Sequence, residues 1–163
     1  MSTDTDRTES RGTRRARIAL LVGFVALTTA VIAAHRSPAQ SYELSIYEAT
    51  PLLFWGGVGV AALIGVGVAV RGPENRRIGQ GAMLLAGASA LSVAALPILR
   101  GYYFYGKGDP LSHLGWARMF EVGVLHPVGM RYPAIHSISV LLSSATDLEL
   151  RLAMMLTVAV FFL

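Results

Sequence analysis

Apolar residues come in long unbroken runs separated by short polar breaks. Residues 18–35, 49–70 and 78–99 contain no Asp, Glu, Lys or Arg. A bilayer core about 30 Å thick takes about 20 residues of helix to cross, and each run is near that length. In hydrocarbon the backbone amides must pair within their own segment, so the runs are expected to be transmembrane helices. Beyond residue 132 the pattern shortens. Residues 133–146 are apolar, Asp147, Glu149 and Arg151 make a polar break, and residues 152–163 are apolar again. These read as two further membrane helices. The last would reach only about 18 Å and is read as cut short, so the chain is expected to be the front part of a longer protein or a truncated product.

The predicted fold class is all-α: a polytopic integral membrane helical bundle of about five hydrophobic helices plus one short extracytoplasmic surface helix. Residues 1–17 are polar and charged with little to pack, and read as a disordered cytoplasmic tail. Residues 18–99 read as three transmembrane helices, 100–132 as an extracytoplasmic loop carrying the surface helix, and 133–163 as the two further membrane helices. A cleaved signal peptide is the alternative for the first run, with Ser37, Pro38 and Ala39 as a poor cleavage site, but the run is longer than most signal cores. Gly57, Ala61, Gly65 and Ala69 recur every four residues in the second run, as do Ala82, Ala86, Ala90 and Ala94 in the third. Small residues at that spacing let helices approach closely, so the two runs are expected to pack stripe to stripe.

Of the 163 residues, 53% are hydrophobic and 15% charged, against about 25% charged in a soluble domain. There is no cysteine, which excludes disulfides and thiolate chemistry. One lysine stands against thirteen arginines, a bias that fits a GC-rich prokaryotic genome. The net charge of +4 is not a nucleic-acid footprint, because the arginines flank apolar runs and no basic patch interleaves with aromatics. With the N-terminus inside, nine cations fall inside (Arg151 among them) and five outside. The positive-inside rule then favours a multi-pass protein of the cell (plasma) membrane with a cytoplasmic N-terminus. Four of the five outside cations lie in residues 100–132, which fits a loop that binds anions.

That loop holds the candidate chemistry. Asp109-Pro110 is a helix start, with Asp capping free amides and Pro suited to the first turn. A surface helix is expected over residues 110–122, with Leu111, Leu114, Trp116 and Phe120 partly in lipid. Asp109, His113 and Glu121 are spaced to lean toward one side of it, an arrangement suited to binding a divalent cation (Mg or Mn) or handling a proton. The plainer readings are an N-cap for Asp109, an interfacial imidazole for His113 and a Glu121–Arg118 surface pair. Tyr102, Tyr103, Phe104 and Tyr105 read as an aromatic interface belt or as a stacking surface for a sugar. Arg131 and His136 are placed to meet a phosphate or to anchor the interface.

An Asp soon after a membrane exit, then His, Arg, a short surface helix and a Tyr-Pro, resembles the first external loop of the GT-C superfamily of membrane glycosyltransferases. The run Asp109-Pro110-x-x-His113 is similar to that of archaeal-type oligosaccharyltransferase catalytic subunits, and the resemblance covers about residues 100–155. It implies a sugar donor on a polyprenyl phosphate, used at the extracytoplasmic face. It implies Asp109 as the acidic catalytic residue or metal ligand, and His113 (catalytic) and Arg118 (on the substrate) match the surrounding pattern more loosely. A chain of this length is expected to be inactive alone. The competing reading is a non-catalytic polytopic membrane protein, an assembly or scaffold component. A transporter is disfavoured because the first three runs hold no acid or base in their interiors.

Overall fold

The computed structural model describes residues 3–161 except 41, 42, 74, 107, 127 and 129–131, with side chains described from residue 12 onward. Among the described residues every regular element is a helix: α1 (Thr3–His35), α2 (Ile46–Ala49), α3 (Leu52–Val70), α4 (Arg76–Ala94), α5 (Leu96–Leu99), α6 (Asp109–Glu121), α7 (Pro133–Thr146) and α8 (Leu150–Phe161). The all-helical expectation holds. Among the described residues two helices are long and apolar enough to cross a membrane, α1 over Gly12–His35 and α3, so the expected five or so spans are not confirmed. These two helices point to membrane association.

The other expected spans fall short for identifiable reasons. The run over residues 78–99 is broken into α4 and α5 at Ala95. Pro97 has no amide to donate to the carbonyl four residues back, and its ring crowds that carbonyl, so the helix cannot run through. The first turns of α4 also carry Arg76, Arg77 and Gln80. At 1.5 Å per residue, α7 and α8 reach about 21 Å and about 18 Å. At the other end, the stretch expected to be a disordered tail has helical backbone from Thr3. Once residues 12–35 are helical, each added residue gains a hydrogen bond without a new nucleation cost.

The chain divides into two compact units, residues 1–93 and 94–163. In the first, α1 and α3 pack antiparallel along their length. Leu20, Leu27, Phe54, Val58 and Leu85 are buried between the helices. The stripe of α3 is divided between two partners. A Cβ on Gly57 would stand 2.6 Å from the carbonyl oxygen of Ala26 in α1, and one on Gly65 would stand 2.8 Å from the backbone nitrogen of Ala86 in α4. The expected α3–α4 contact is therefore made at Gly65, while Gly57 admits α1, and Ala90 of the α4 stripe is exposed.

In the second unit α6, α7 and α8 pack around Phe104, Leu114, Ala117, Leu150, Met154 and Met155. Leu114, expected in lipid, is 2% exposed and belongs to this core, while Leu111 faces outward. Helix α7 lies along α6: His136 near its start meets His113, and Ser143 near its end lines a cleft with Arg118 and Glu121. Arg151 donates to the Tyr103 carbonyl at 2.7 Å. Within this unit it therefore stands beside Tyr103.

Close approach at Gly57 and Gly65 leaves no room for a branched side chain. Gly57→Val and Gly65→Val are each expected to destabilise the helix packing by about 1–3 kcal/mol, read as a lowered unfolding midpoint in detergent, with Gly56→Val, where an added carbon meets open space, as the neutral control.

Candidate functional site

Helix α6 begins at Asp109 with Gly108 as its N-cap, and no side chain caps the helix. The Asp109 carboxylate is thus not spent on the first-turn amides, as a capping role requires. It lies one turn below His113, with Oδ2 3.6 Å from Nε2. The Asp109 side chain is 86% exposed and that of His113 19%. A carboxylate in the first turn is also favoured by the helix dipole.

The partner that the sequence does not predict is His136. It is fully buried, on the first turn of α7, and its Nδ1 is 2.9 Å from the carbonyl of Tyr132. Tyr132 is left-handed, at φ 59°, a conformation that costs a bulky residue on the order of 1 kcal/mol. The Nε2 of His136 is 3.1 Å from Nδ1 of His113, and the two rings lie nearly parallel, with centroids 5.2 Å apart. Both nitrogens of His136 are engaged inside the protein, so it acts on any ligand through His113 rather than by meeting a phosphate directly.

These distances determine where the protons sit. A carbonyl only accepts, so Nδ1 of His136 carries its proton. Neutral His136 then has a bare Nε2, which accepts from Nδ1–H of His113. That leaves Nε2 of His113 on the side of the Asp109 carboxylate, so the two form a juxtaposed imidazole and carboxylate.

His113 lines an apolar cavity of about 320 Å³, whose walls also include Phe104, Tyr105, Ile135, His136 and Met154. Tyr105 donates its hydroxyl to the carbonyl of Met155 at 2.7 Å, and burial pushes its pKa up to about 12, so the hydroxyl stays protonated. Trp116 meets the His113 ring edge-on at 5.0 Å. The aromatic run 102–105 is not a continuous belt: Phe104 is core, Tyr105 is tied to α8, and Tyr103 lies under the Arg151 guanidinium at 5.0 Å.

Arg118 and Glu121, also expected near Asp109, line a separate polar cleft of about 470 Å³ with Ser143, Asp147, Glu149 and Arg151. The cause is helical phase. At about 100° per residue, nine residues place Arg118 about 180° from Asp109, and twelve place Glu121 about 120° from it. Arg118 donates to the Tyr103 hydroxyl at 3.3 Å instead of pairing with Glu121. Arg151 grips Glu149 with two bonds, at 3.1 and 3.0 Å, and that guanidinium holds the Glu149 carboxyl below its ordinary value. Arg131 lies outside the described residues. Among the described residues no three His, Asp or Glu side chains gather to hold a metal ion. Asp109 and His113 alone do not make the donor set that a divalent cation requires.

Desolvation lowers the pKa of His136, outweighing the Tyr132 hydrogen bond that raises it. Below about 6.5, the ordinary imidazole value, the unfolded chain takes up a proton that buried His136 resists, so stability falls as pH falls. The His136→Gln variant is expected to lose this part of the acid slope, measured as the unfolding midpoint between about pH 8 and about pH 5. Separately, Tyr105→Phe removes one hydrogen bond beside the cavity and is expected to cost about 1 kcal/mol in denaturant unfolding.

No protein-family model, curated protein or solved structure matches this chain.

Proposed function

We propose that the protein is a membrane glycosyltransferase of GT-C type, using a sugar carried on a polyprenyl phosphate at the extracytoplasmic face of the cell membrane. The observation that carries this reading is the Asp109–His113 contact, with His113 lining an apolar cavity, in a chain that also has two membrane-type helices. A lipid-linked donor has the two chemistries that such a site matches: an apolar tail, and a reacting centre where a proton must move.

In this mechanism the acceptor oxygen attacks the anomeric carbon as the bond from that carbon to the phosphate oxygen breaks. Asp109, exposed one turn from His113, takes the acceptor's proton. His113 shares that proton through Nε2, and the positive charge it gains lies near the negative charge developing on the departing lipid phosphate. His136 and the Tyr132 carbonyl keep the His113 ring turned toward Asp109. Arg118, on the far face of α6, serves the packing of Tyr103 rather than the phosphate. The orientation rests on the positive-inside reading of the sequence, with the N-terminus cytoplasmic, and it requires α4 and α5 together, broken ahead of Pro97, to carry the chain across to the loop that holds Asp109.

The experiment is sugar transfer from a polyprenyl-phosphate donor in membranes containing the full-length protein. Asp109→Asn is expected to lower the rate about 10²- to 10⁴-fold, the usual contribution of a general base, with His113→Gln giving a smaller loss. Full transfer by a folded Asp109→Asn variant would sink the mechanism and leave the non-catalytic assembly reading in its place.

A further inference from the structure

A second cavity, of about 670 Å³, lies at the end of the first unit where the start of the apolar part of α1 meets the end of α3. Its polar rim is Thr13, Arg15, Arg71 and Asn75, and its floor includes Ala19 and Val68. Small residues create the space, since larger side chains along this part of α1 would fill it. Arg14, Arg17, Arg76 and Arg77 border the same segments. Among the described residues no carboxylate pairs with any of these six guanidiniums. Arg71 reaches only the carbonyl of Gly67 in its own helix, at 3.5 Å.

The depth of the cavity identifies its occupant. Helix α3 has 19 residues and covers about 28 Å, close to one hydrocarbon thickness of about 30 Å. Arg71, immediately after its last residue, is therefore at headgroup level if α3 crosses the bilayer, the one premise shared with the proposed function. A rim of two guanidiniums with hydroxyl and amide groups suits a phosphate, and an apolar floor suits the first carbons of acyl chains. We propose that this cavity binds the headgroup of an anionic phospholipid from the cytoplasmic leaflet. Basic pockets between membrane helices on that side bind such lipids. The site is independent of the Asp109 chemistry and would persist in a protein with no transferase activity.

The test is native mass spectrometry of the full chain in a neutral detergent, titrated with phosphatidylglycerol or phosphatidylcholine. Phosphatidylglycerol is expected to remain bound at concentrations where phosphatidylcholine does not. Removing two headgroup-level arginines with Arg15→Gln/Arg71→Gln is expected to weaken phosphatidylglycerol about 30-fold. The Arg14→Gln/Arg76→Gln variant removes the same charge from outside the cavity and is expected to stay within about threefold of the parent. Ala19→Leu, which fills the floor without changing charge, is expected to abolish the preference, and an unchanged unfolding midpoint shows that each variant is folded. Equal retention of the two lipids would overturn the proposal. So would equal weakening by the two double variants, which would mean a diffuse basic collar. Displacement of phosphatidylglycerol by equimolar inorganic phosphate would also overturn it, by making the site one for a soluble anion.

Discussion

A polar side chain enclosed by apolar helices has no water to turn to, and leaving it unpaired costs several kcal/mol, about 2–7 depending on the reference state. That constraint runs through the whole protein. Among the described residues, no buried side-chain nitrogen or oxygen lacks a partner. Ser89, Ser139 and Thr157 donate to the carbonyl four residues back in their own helices, at 2.7, 2.7 and 2.9 Å. Ser143 reaches past the end of α7 to the Leu148 carbonyl at 2.7 Å, which fastens the turn into α8. His136 obeys the same rule with two groups to satisfy. One goes to a carbonyl on its own helix start, and the other has to come from a neighbouring helix, which is why α6 and α7 meet where they do.

The candidate site is therefore a by-product of burial as much as of chemistry. The left-handed turn at Tyr132 aims a carbonyl at Nδ1, this fixes the tautomer of His136, and that in turn fixes which nitrogen of His113 looks at Asp109. The two hydrogen bonds, from His136 to the Tyr132 carbonyl and between the two rings, are each worth about 1 kcal/mol net. Their joint effect is orientational: the His113 ring is held against the apolar cavity it lines, with Asp109 one turn away.

Helix α3 and helix α6 are legible in the sequence because their ends are chemical events: Pro51 and Arg71 bracket one, and Asp109-Pro110 opens the other. The break at Ala95 is harder to see. Leu96, Ile98 and Leu99 keep the hydropathy high, and hydropathy does not register the amide missing from Pro97. For the site, the Asp109–His113 contact is legible from a spacing of four, which always brings side chains together on a helix. Spacing also groups Glu121 with them and the family resemblance adds Arg118, but helical phase carries both to another face. The pairing with His136 spans 23 positions and depends on how two helices pack, so no local pattern announces it. Leu114 is the same lesson in apolar form: an aliphatic residue on a short helix reads equally as lipid-facing or core, and the neighbours of α6 decide.

The terminal position of the Tyr132 carbonyl has one more consequence. Proton conduction along a chain of imidazoles needs a site at each end that can both give and receive, so that the rings can flip and reset. Here the chain stops at a backbone oxygen that never gives up a proton. The two rings therefore form a hydrogen-bonded relay closed at its inner end and open only toward the cavity that His113 lines.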